Sequence, residues 1–521
     1  MRLHDFIDYY AREYPDSDFV IMDGKHTSYR EAADEINRLS NAFSSAGIRP
    51  GDRVAMLSKN SVEYMVLYYA ASKSGVVPVT LNYRLAPPEL SYIINDSQAK
   101  MLIASAEYLE IANGIRGELE TVDQFVSIDG DGASGWNDYR GWVANQPATP
   151  PEHYATPDDD LVQMYTSGTT GRPKGAVLTH SGVTANLVQT APSINLLQGQ
   201  RMLVVAPLYH LAAAFSAFYT VYQGGCLYIQ EDFNPAEVVR AMDEDNISWA
   251  LLVPAMIQAC LVAVPDVAQR AYKDLKCVLY GASPIAEETL RQAMQAFKCD
   301  FMQAYGMTEL SPVATLLSPS DHRRALAEKP ELLLSAGKPV LGTEVRIVDE
   351  DDQPVPSGTM GELLVRGPQV MKGYWNLPQE TAEALRGGWM HTGDAGTVDS
   401  EGYVYIQDRV KDMIVSGGEN VYPRVVEDVL FTHPAVADAA VIGVPHDRWG
   451  ETVKAVVVLR QGAEATEEEM IEFCRGKLGG FERPTSVDFA ASLPRNASGK
   501  VVKRELREPY WEGHSRRVAG A

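Results

Sequence analysis

Residues 165–177 read YTSGTTGRPKGAV, and the reading of this stretch decides the fold. Apolar, β-prone residues flank it, Leu161 to Tyr165 before and Ala176 to Leu178 after. The pattern is strand, glycine-rich loop, strand. Gly168, Gly171 and Gly175 let backbone N–H groups turn toward one point, and Thr166, Ser167, Thr169 and Thr170 add hydroxyls. Arg172 and Lys174 add positive charge. Such a loop suits a polyphosphate; the same residues would also make a polar hairpin turn. It is not a Walker A loop, in which glycine directly precedes the lysine, because Pro173 stands there.

Further polar clusters follow at the ends of apolar runs. Tyr305–Glu309 reads YGMTE, Thr392–Asp394 TGD, Asp408–Pro423 DRVKDMIVSGGENVYP and Pro494–Lys500 PRNASGK. With YTSGTTGRPKG ahead of them, this ordered set resembles the motifs of the adenylate-forming enzymes. That superfamily holds acyl- and aryl-CoA ligases, peptide-synthetase adenylation domains and beetle luciferases. The resemblance runs from about residue 160 to 505, and the segment before it fits the family's amino-terminal part. Among members, the acyl-CoA ligases are the most alike.

Bulk properties agree with a multidomain enzyme. A chain of 521 residues exceeds what one core usually serves, so two or more domains are expected. Hydrophobic residues make up 45% and charged residues 22%, an ordinary globular balance. The net charge is −23 without a long basic tract, which argues against a nucleic-acid partner. Cys226, Cys260, Cys277, Cys299 and Cys474 form no CxxC pair and read as reduced thiols of a cytoplasmic protein. Met1 to Asp18 carries Asp, Glu and Arg throughout, unlike a secretory signal or transit peptide. Met202–Tyr222 is apolar and long enough to span a bilayer. Pro207 and His210 near its start favour a strand, a turn and a buried helix instead, so no membrane span is expected. A homo-oligomer is compatible with the sequence.

The predicted fold is α/β. Ser28 and Glu31 look like a capping box. Arg53–Leu57 reads as a strand, Val62–Gly75 as a helix and Val76–Thr80 as the next strand. Such alternation predicts parallel-type sheets covered by helices. Ser181 is expected to cap a helix through Gln189. Leu203–Ala206, Trp249–Val253, Cys277–Tyr280 and Phe301–Ala304 are expected strands. The last two lead into Gly281-Ala282-Ser283-Pro284 and YGMTE. Ligands of open α/β sheets collect at such strand ends. Beyond Gly337 short alternating runs, Glu344–Val348 and Gly361–Arg366, predict a β-rich subdomain. Val425–Leu430 (helix), Val436–Ile442 and Val453–Leu459 (strands) and Glu467–Leu478 (helix) predict a small α+β domain. The resulting division is 1–411, holding the acid and ATP sites, and 412–521, mobile, holding the catalytic lysine and CoA contacts.

The resemblance implies roles for particular residues. Thr166, Ser167, Gly168, Thr169, Thr170 and Lys174 would hold phosphates. Tyr305 would lie along the adenine with Gly281, Ala282 and Ser283 on its other face, and Gly306 and Thr308 would also belong to the ATP/AMP site. Asp394 would accept the two ribose hydroxyls, as suits an ionised carboxylate, and Arg409 would add a ribose or phosphate contact. Glu309 would hold Mg2+, an oxygen-seeking cation; alone it would read as a solvated glutamate. Lys500 matches the catalytic lysine, a point cation that bridges the attacking carboxylate and the α-phosphate. Lys411 would be the hinge. Trp449, Phe481 and Arg483 resemble the clamp on the CoA adenine, with Ser416, Gly417 and Gly418 along the pantetheine route; ordinary packing of a small domain would use the same residues.

His210 matches an acyl-site gate in relatives and would equally suit a core histidine. If it faces the acyl site, Ala213, Ala214 and Ala217 share its helix face, with Leu211 and Phe215 as apolar walls. The expectation is a roomy pocket for a medium-to-long or bulky monocarboxylic acid, since Leu211–Tyr222 holds no Lys or Arg for a second carboxylate. The implied reaction joins acid, ATP and CoA into acyl-CoA, AMP and pyrophosphate through an acyl-adenylate. The rivals are a ligase loading a carrier protein, an aryl-acid CoA ligase, a luciferase-like oxygenase and a nucleotide-binding protein without catalysis.

Overall fold

The strand–loop–strand of the opening stretch is a hairpin in the computed structural model. Asp160–Thr166 and Lys174–Thr179 pair antiparallel, with Thr166 opposite Lys174. The structure describes residues 1–130, 135–152, 155–166, 172–283, 285, 287–409, 412–416, 419–446, 448–495 and 501–512.

The hairpin belongs to an eight-stranded sheet, in which Asp160–Thr166 lies parallel to Val77–Thr80 and, through Arg53–Leu57, to Met101–Ala104. A nine-stranded sheet faces it. Its central run, Asp300–Gly306, Cys277–Gly281, Ile247–Leu251, Arg201–Val204, Cys226–Ile229 and Asp18–Met22, is parallel throughout. Parallel strands need crossovers, and helices supply them. Glu344–Val348, Gly361–Arg366, Met390–Val398 and Val404–Arg409 make a separate antiparallel sheet, the β-rich subdomain. A fourth, five-stranded sheet is built from Ile414–Ser416, Glu419–Val421, Val436–His446, Gly450–Leu459 and Ser486–Phe489.

Between the two large sheets lies one continuous core. Helix Val62–Ser74 crosses it and is buried from Tyr64 to Ser74. Its sequence is apolar on all sides, as such a position requires. The exception is Lys73, whose Nζ meets Asp8 at 2.5 Å and Asn37 at 2.8 Å, so the buried charge is paired. Gly75 ends the helix at φ +77°, a conformation that costs glycine little. Ser28 and Glu31 form the expected capping box of Tyr29–Ser45.

Two expectations are corrected. The helix His180–Thr190 is capped by Thr179, which accepts from the Gly182 amide; Ser181 sits inside the first turn. Thr179 still has extended backbone (φ −96°, ψ 161°), as a cap must. The helix expected over Glu467–Leu478 spans only Glu467–Phe473, because the chain turns at Gly476, φ +77°. Met202–Tyr222 is strand, turn and buried helix as read, and no helix among the described residues is long and apolar enough to cross a membrane.

Candidate active site

The nucleotide motifs meet at the carboxyl ends of the parallel strands. Tyr305 is the penultimate residue of Asp300–Gly306, and its hydroxyl donates to Asp394 Oδ2 at 2.6 Å, although 89 residues separate them. Asp394 is buried and sits in register with Arg409 on the neighbouring strand. The TGD turn is built by short contacts. Thr392 Oγ1 donates to Leu363 O at 2.7 Å and accepts the Asp394 amide at 3.1 Å. Glu362 accepts the Gly393 amide at 3.0 Å, while its other oxygen lies 3.0 Å from His391 Nδ1. Asp352, Glu362 and His391 place ligand atoms within 4.8 Å of one another. Arg386 already pairs with both oxygens of Asp352, so these groups have a counter-cation in the protein.

Glycine is required at two of the strand ends. A Cβ on Gly281 would lie 2.3 Å from Ala304 O, and one on Gly306 would lie 1.8 Å from Pro312 O. Between these close approaches Ala282 takes φ +65°, so the Gly281–Ser283 turn curls away from the sheet end. Thr308 opens the single 3-10 turn Thr308–Leu310 that carries Glu309.

Glu309 is 4% exposed. Its Oε1 accepts from Thr166 Oγ1 at 3.2 Å and from the Tyr374 hydroxyl at 2.9 Å, and its Oε2 makes no hydrogen bond to a described residue. A buried carboxylate with one oxygen fixed and the other uncommitted suits a hard cation such as Mg2+. Thr166 and Lys174 flank the loop 167–171, which lies outside the described residues together with Ser167, Gly168, Thr169 and Thr170. Lys411, Gly417, Gly418 and Lys500 lie outside them as well.

His210 caps the helix Leu211–Tyr222 through its backbone alone. The turn before it is stapled from three elements: Asn60 Oδ1 accepts the Leu208 amide at 2.7 Å, Tyr68 donates to Leu208 O at 2.7 Å, and Thr80 donates to Tyr209 O at 2.9 Å. The His210 ring is 4.5 Å from that of Tyr209, and its Nε2 has no partner. Burial, and then the Arg84 charge, push its pKa down to about 4, so the imidazole is neutral at pH 7. Arg84 itself is engaged by Asp232 at 3.3 Å and by the Tyr209 hydroxyl at 3.2 Å.

The helix face expected to line the acyl site lies within the inter-sheet core. Ala213, Ala214 and Ala217 have no exposed surface, and Leu211 and Phe215 almost none; all five belong to the inter-sheet core. Small side chains there let the helix press against Arg201–Val204 and Cys226–Ile229. Near His210, Ala212 is the helix position that keeps accessible surface.

In the carboxyl-terminal part, Ser416 pairs with Gly450, next to Trp449. Trp449 is 41% and Phe481 45% exposed. Arg448 lies 4.4 Å over the Trp449 ring. Arg483 lines a pocket of about 310 Å³ with Ile471, Gly480, Pro484 and Thr485. Thr485 donates its amide to Val453, so Arg483 and Trp449 flank the same end of Gly450–Leu459.

Family models match most of the chain. The model described as AMP-binding enzyme matches residues 7–375, and the AMP-binding enzyme C-terminal domain matches 425–500. The chain belongs to the AMP-binding enzyme family. A feruloyl-CoA synthase of Amycolatopsis sp is 38% identical over 510 residues, 96% of this chain and 97% of the relative. The fatty acid–[acyl-carrier-protein] ligase ScoC of Streptomyces coeruleorubidus is 36% identical over 516 residues, 98% and 96% of the two chains. ATP-bound MatB from Rhodopseudomonas palustris superposes with a TM-score of 0.89 at 29% identity, covering 99% of this chain and 100% of that one. As an AMP-binding enzyme, the chain is an AMP-forming synthetase of the acyl-CoA type, joining an acid to CoA through an adenylate at the expense of ATP.

Sequence reasoning missed Tyr374, Glu362 and Asn60. GYWN at Gly373–Asn376 is a short polar turn signal, and nothing in it points to Glu309.

Proposed function

We propose that the enzyme activates an apolar monocarboxylic acid, aliphatic or aryl, that lies beside His210 and Ala212. What carries this reading is the absence of an uncommitted cation beside His210 among the described residues: Leu211–Tyr222 holds no Lys or Arg, and Arg84 is paired with Asp232. A neutral His210 Nε2 without a partner suits a hydrogen bond to the acid or its adenylate. The similarity to a feruloyl-CoA synthase and to a fatty acid ligase fits both branches of this class.

In the first half-reaction the acid carboxylate attacks the ATP α-phosphorus and pyrophosphate leaves. Tyr305 and Asp394 orient the nucleoside, Arg409 adds a ribose or phosphate contact, and Lys174 with the hydroxyls of 166–170 holds the phosphates. Lys500 supplies positive charge between the two anions. Glu309 would hold Mg2+, which when bound neutralises phosphate charge. In the second, the CoA thiol attacks the acyl carbon and AMP leaves. Trp449, Phe481 and Arg483 hold the CoA nucleotide, and Ser416, Gly417 and Gly418 line the pantetheine route. The halves 1–411 and 412–521 turn about Lys411 between the steps. The free cysteines, four of them buried and Cys299 half-buried, fit a cytoplasmic enzyme.

The ligase similarity to ScoC favours one second reading, a carrier protein as final thiol. The test is a panel of acids (acetate, butyrate, succinate, long-chain fatty and hydroxycinnamic) scored for AMP and thioester with CoA or carrier protein, using the wild type and Ala212→Trp. Apolar acids should turn over with CoA, and Ala212→Trp should cut bulky acids about tenfold more than butyrate, as expected when a filled pocket excludes a side group. Preference for succinate, or an equal loss across the panel, would contradict the reading. Thioester formation on carrier protein alone would establish the second.

A further inference from the structure

Met371–Trp375 runs as a strap between the two halves of the phosphate site. The Met371 amide donates to Glu309 O at 2.8 Å, the Lys372 amide to Val177 O at 2.9 Å, and the Trp375 amide to Gly175 O at 2.7 Å. Trp375 is anchored on its far side, with Nε1 donating to Asp96 O at 3.0 Å and the Arg53 guanidinium 3.6 Å over its ring. Gly373 is required where the strap passes Thr381, since a Cβ would sit 2.7 Å from Thr381 Cγ2. Thr381 Oγ1 then accepts the Tyr374 amide at 2.9 Å. The backbone of Tyr374 is therefore fixed before its side chain meets the site.

That side chain touches both charges of the site. Its hydroxyl donates to Glu309 Oε1 at 2.9 Å, and Lys174 Nζ lies 5.3 Å from its ring centroid. Lys174 and Glu309 form no ion pair with each other. The Glu309 side chain has three rotatable torsions; Thr166 and Tyr374, arriving from different strands, fix one of its oxygens and thereby aim the other.

We propose that Tyr374 is a positioning residue of the phosphate–metal site: its hydroxyl holds Glu309 in the orientation that binds the cation, and its ring keeps Lys174 beside the phosphates and apart from Glu309. This rests on the reading of Glu309 as the cation ligand. A hydrogen bond to a charged group typically supports about a tenfold effect, and a cation over an aromatic face somewhat less.

The experiment titrates Mn2+ by electron paramagnetic resonance into the full-length enzyme with a non-hydrolysable ATP analogue, and measures AMP affinity and thermal melting beside it. Tyr374→Phe keeps the ring and loses the hydroxyl. It should weaken Mn2+ binding about tenfold and leave analogue affinity without metal, AMP affinity and melting unchanged. Tyr374→Leu should weaken Mn2+ and metal-free analogue binding together; if it does not fold, Tyr374→Phe decides alone. Unchanged Mn2+ affinity in Tyr374→Phe overturns the proposal, and so does a parallel loss of AMP affinity, which would mark a general structural role. Glu309→Gln separates the two ideas. If it binds Mn2+ normally, the metal reading of Glu309 falls; if it loses Mn2+ while Tyr374→Phe does not, only the role of Tyr374 falls.

Discussion

His180 accepts the Leu3 amide at Nδ1, 3.3 Å away, and its Nε2 is buried without a partner. Burial lowers its pKa from 6.5 to about 4 against the pull of Asp159. His4, 6.2 Å off in an edge contact, is lowered further, to about 3. Both are neutral in the native state, whereas the unfolded chain takes up protons below about pH 6.5. Stability from these groups is therefore present at neutral pH and is lost as pH falls from about 6.5 toward 4, at about 1.4 kcal/mol per pH unit for each residue. His180→Asn keeps an acceptor for the Leu3 amide and removes the titration. Between pH 6 and 5 its unfolding free energy, from urea titrations, should fall less steeply than the wild type's by roughly one proton's worth. An identical slope would show that His180 is not the acid-sensitive group.

At the scale of elements, what could be read in advance was what local chemistry determines. The hairpin at Asp160–Thr179, the capping box of Ser28 and the strand ends at Gly281 and Gly306 follow from alternation, capping and glycine placement. What failed depended on neighbours distant in sequence. Periodicity marks the apolar face of Leu211–Tyr222 but not what covers it: Ala213, Ala214 and Ala217 have no exposed surface and pack in the inter-sheet core. Tyr374 lies 65 residues from Glu309, Glu362 lies 31 from Gly393, and Asn60 lies 148 from Leu208. Each contact is created by the fold, and short polar residues in ordinary turns do not announce it. The site residues that were legible, Tyr305, Glu309 and Asp394, stand in motifs long enough to be compared with a family.

For the whole molecule, the two family models leave a join between residues 375 and 425, where the expected hinge Lys411 falls. Proline there would fix φ and restrict a pivot. Lys411→Pro should keep adenylate formation and lose thioester formation by about a hundredfold, as when a required conformational step is blocked. Equal loss of both half-reactions would place the pivot elsewhere.

The proposed reaction runs in two steps through an enzyme-bound adenylate. The most direct measurement is the exchange of radiolabelled pyrophosphate into ATP with no CoA present. Exchange should need both the acid and Mg2+, and the bound adenylate should convert to thioester and one equivalent of AMP when CoA is then added. Exchange without acid, a requirement for CoA before any exchange occurs, or release of ADP in place of AMP would contradict it.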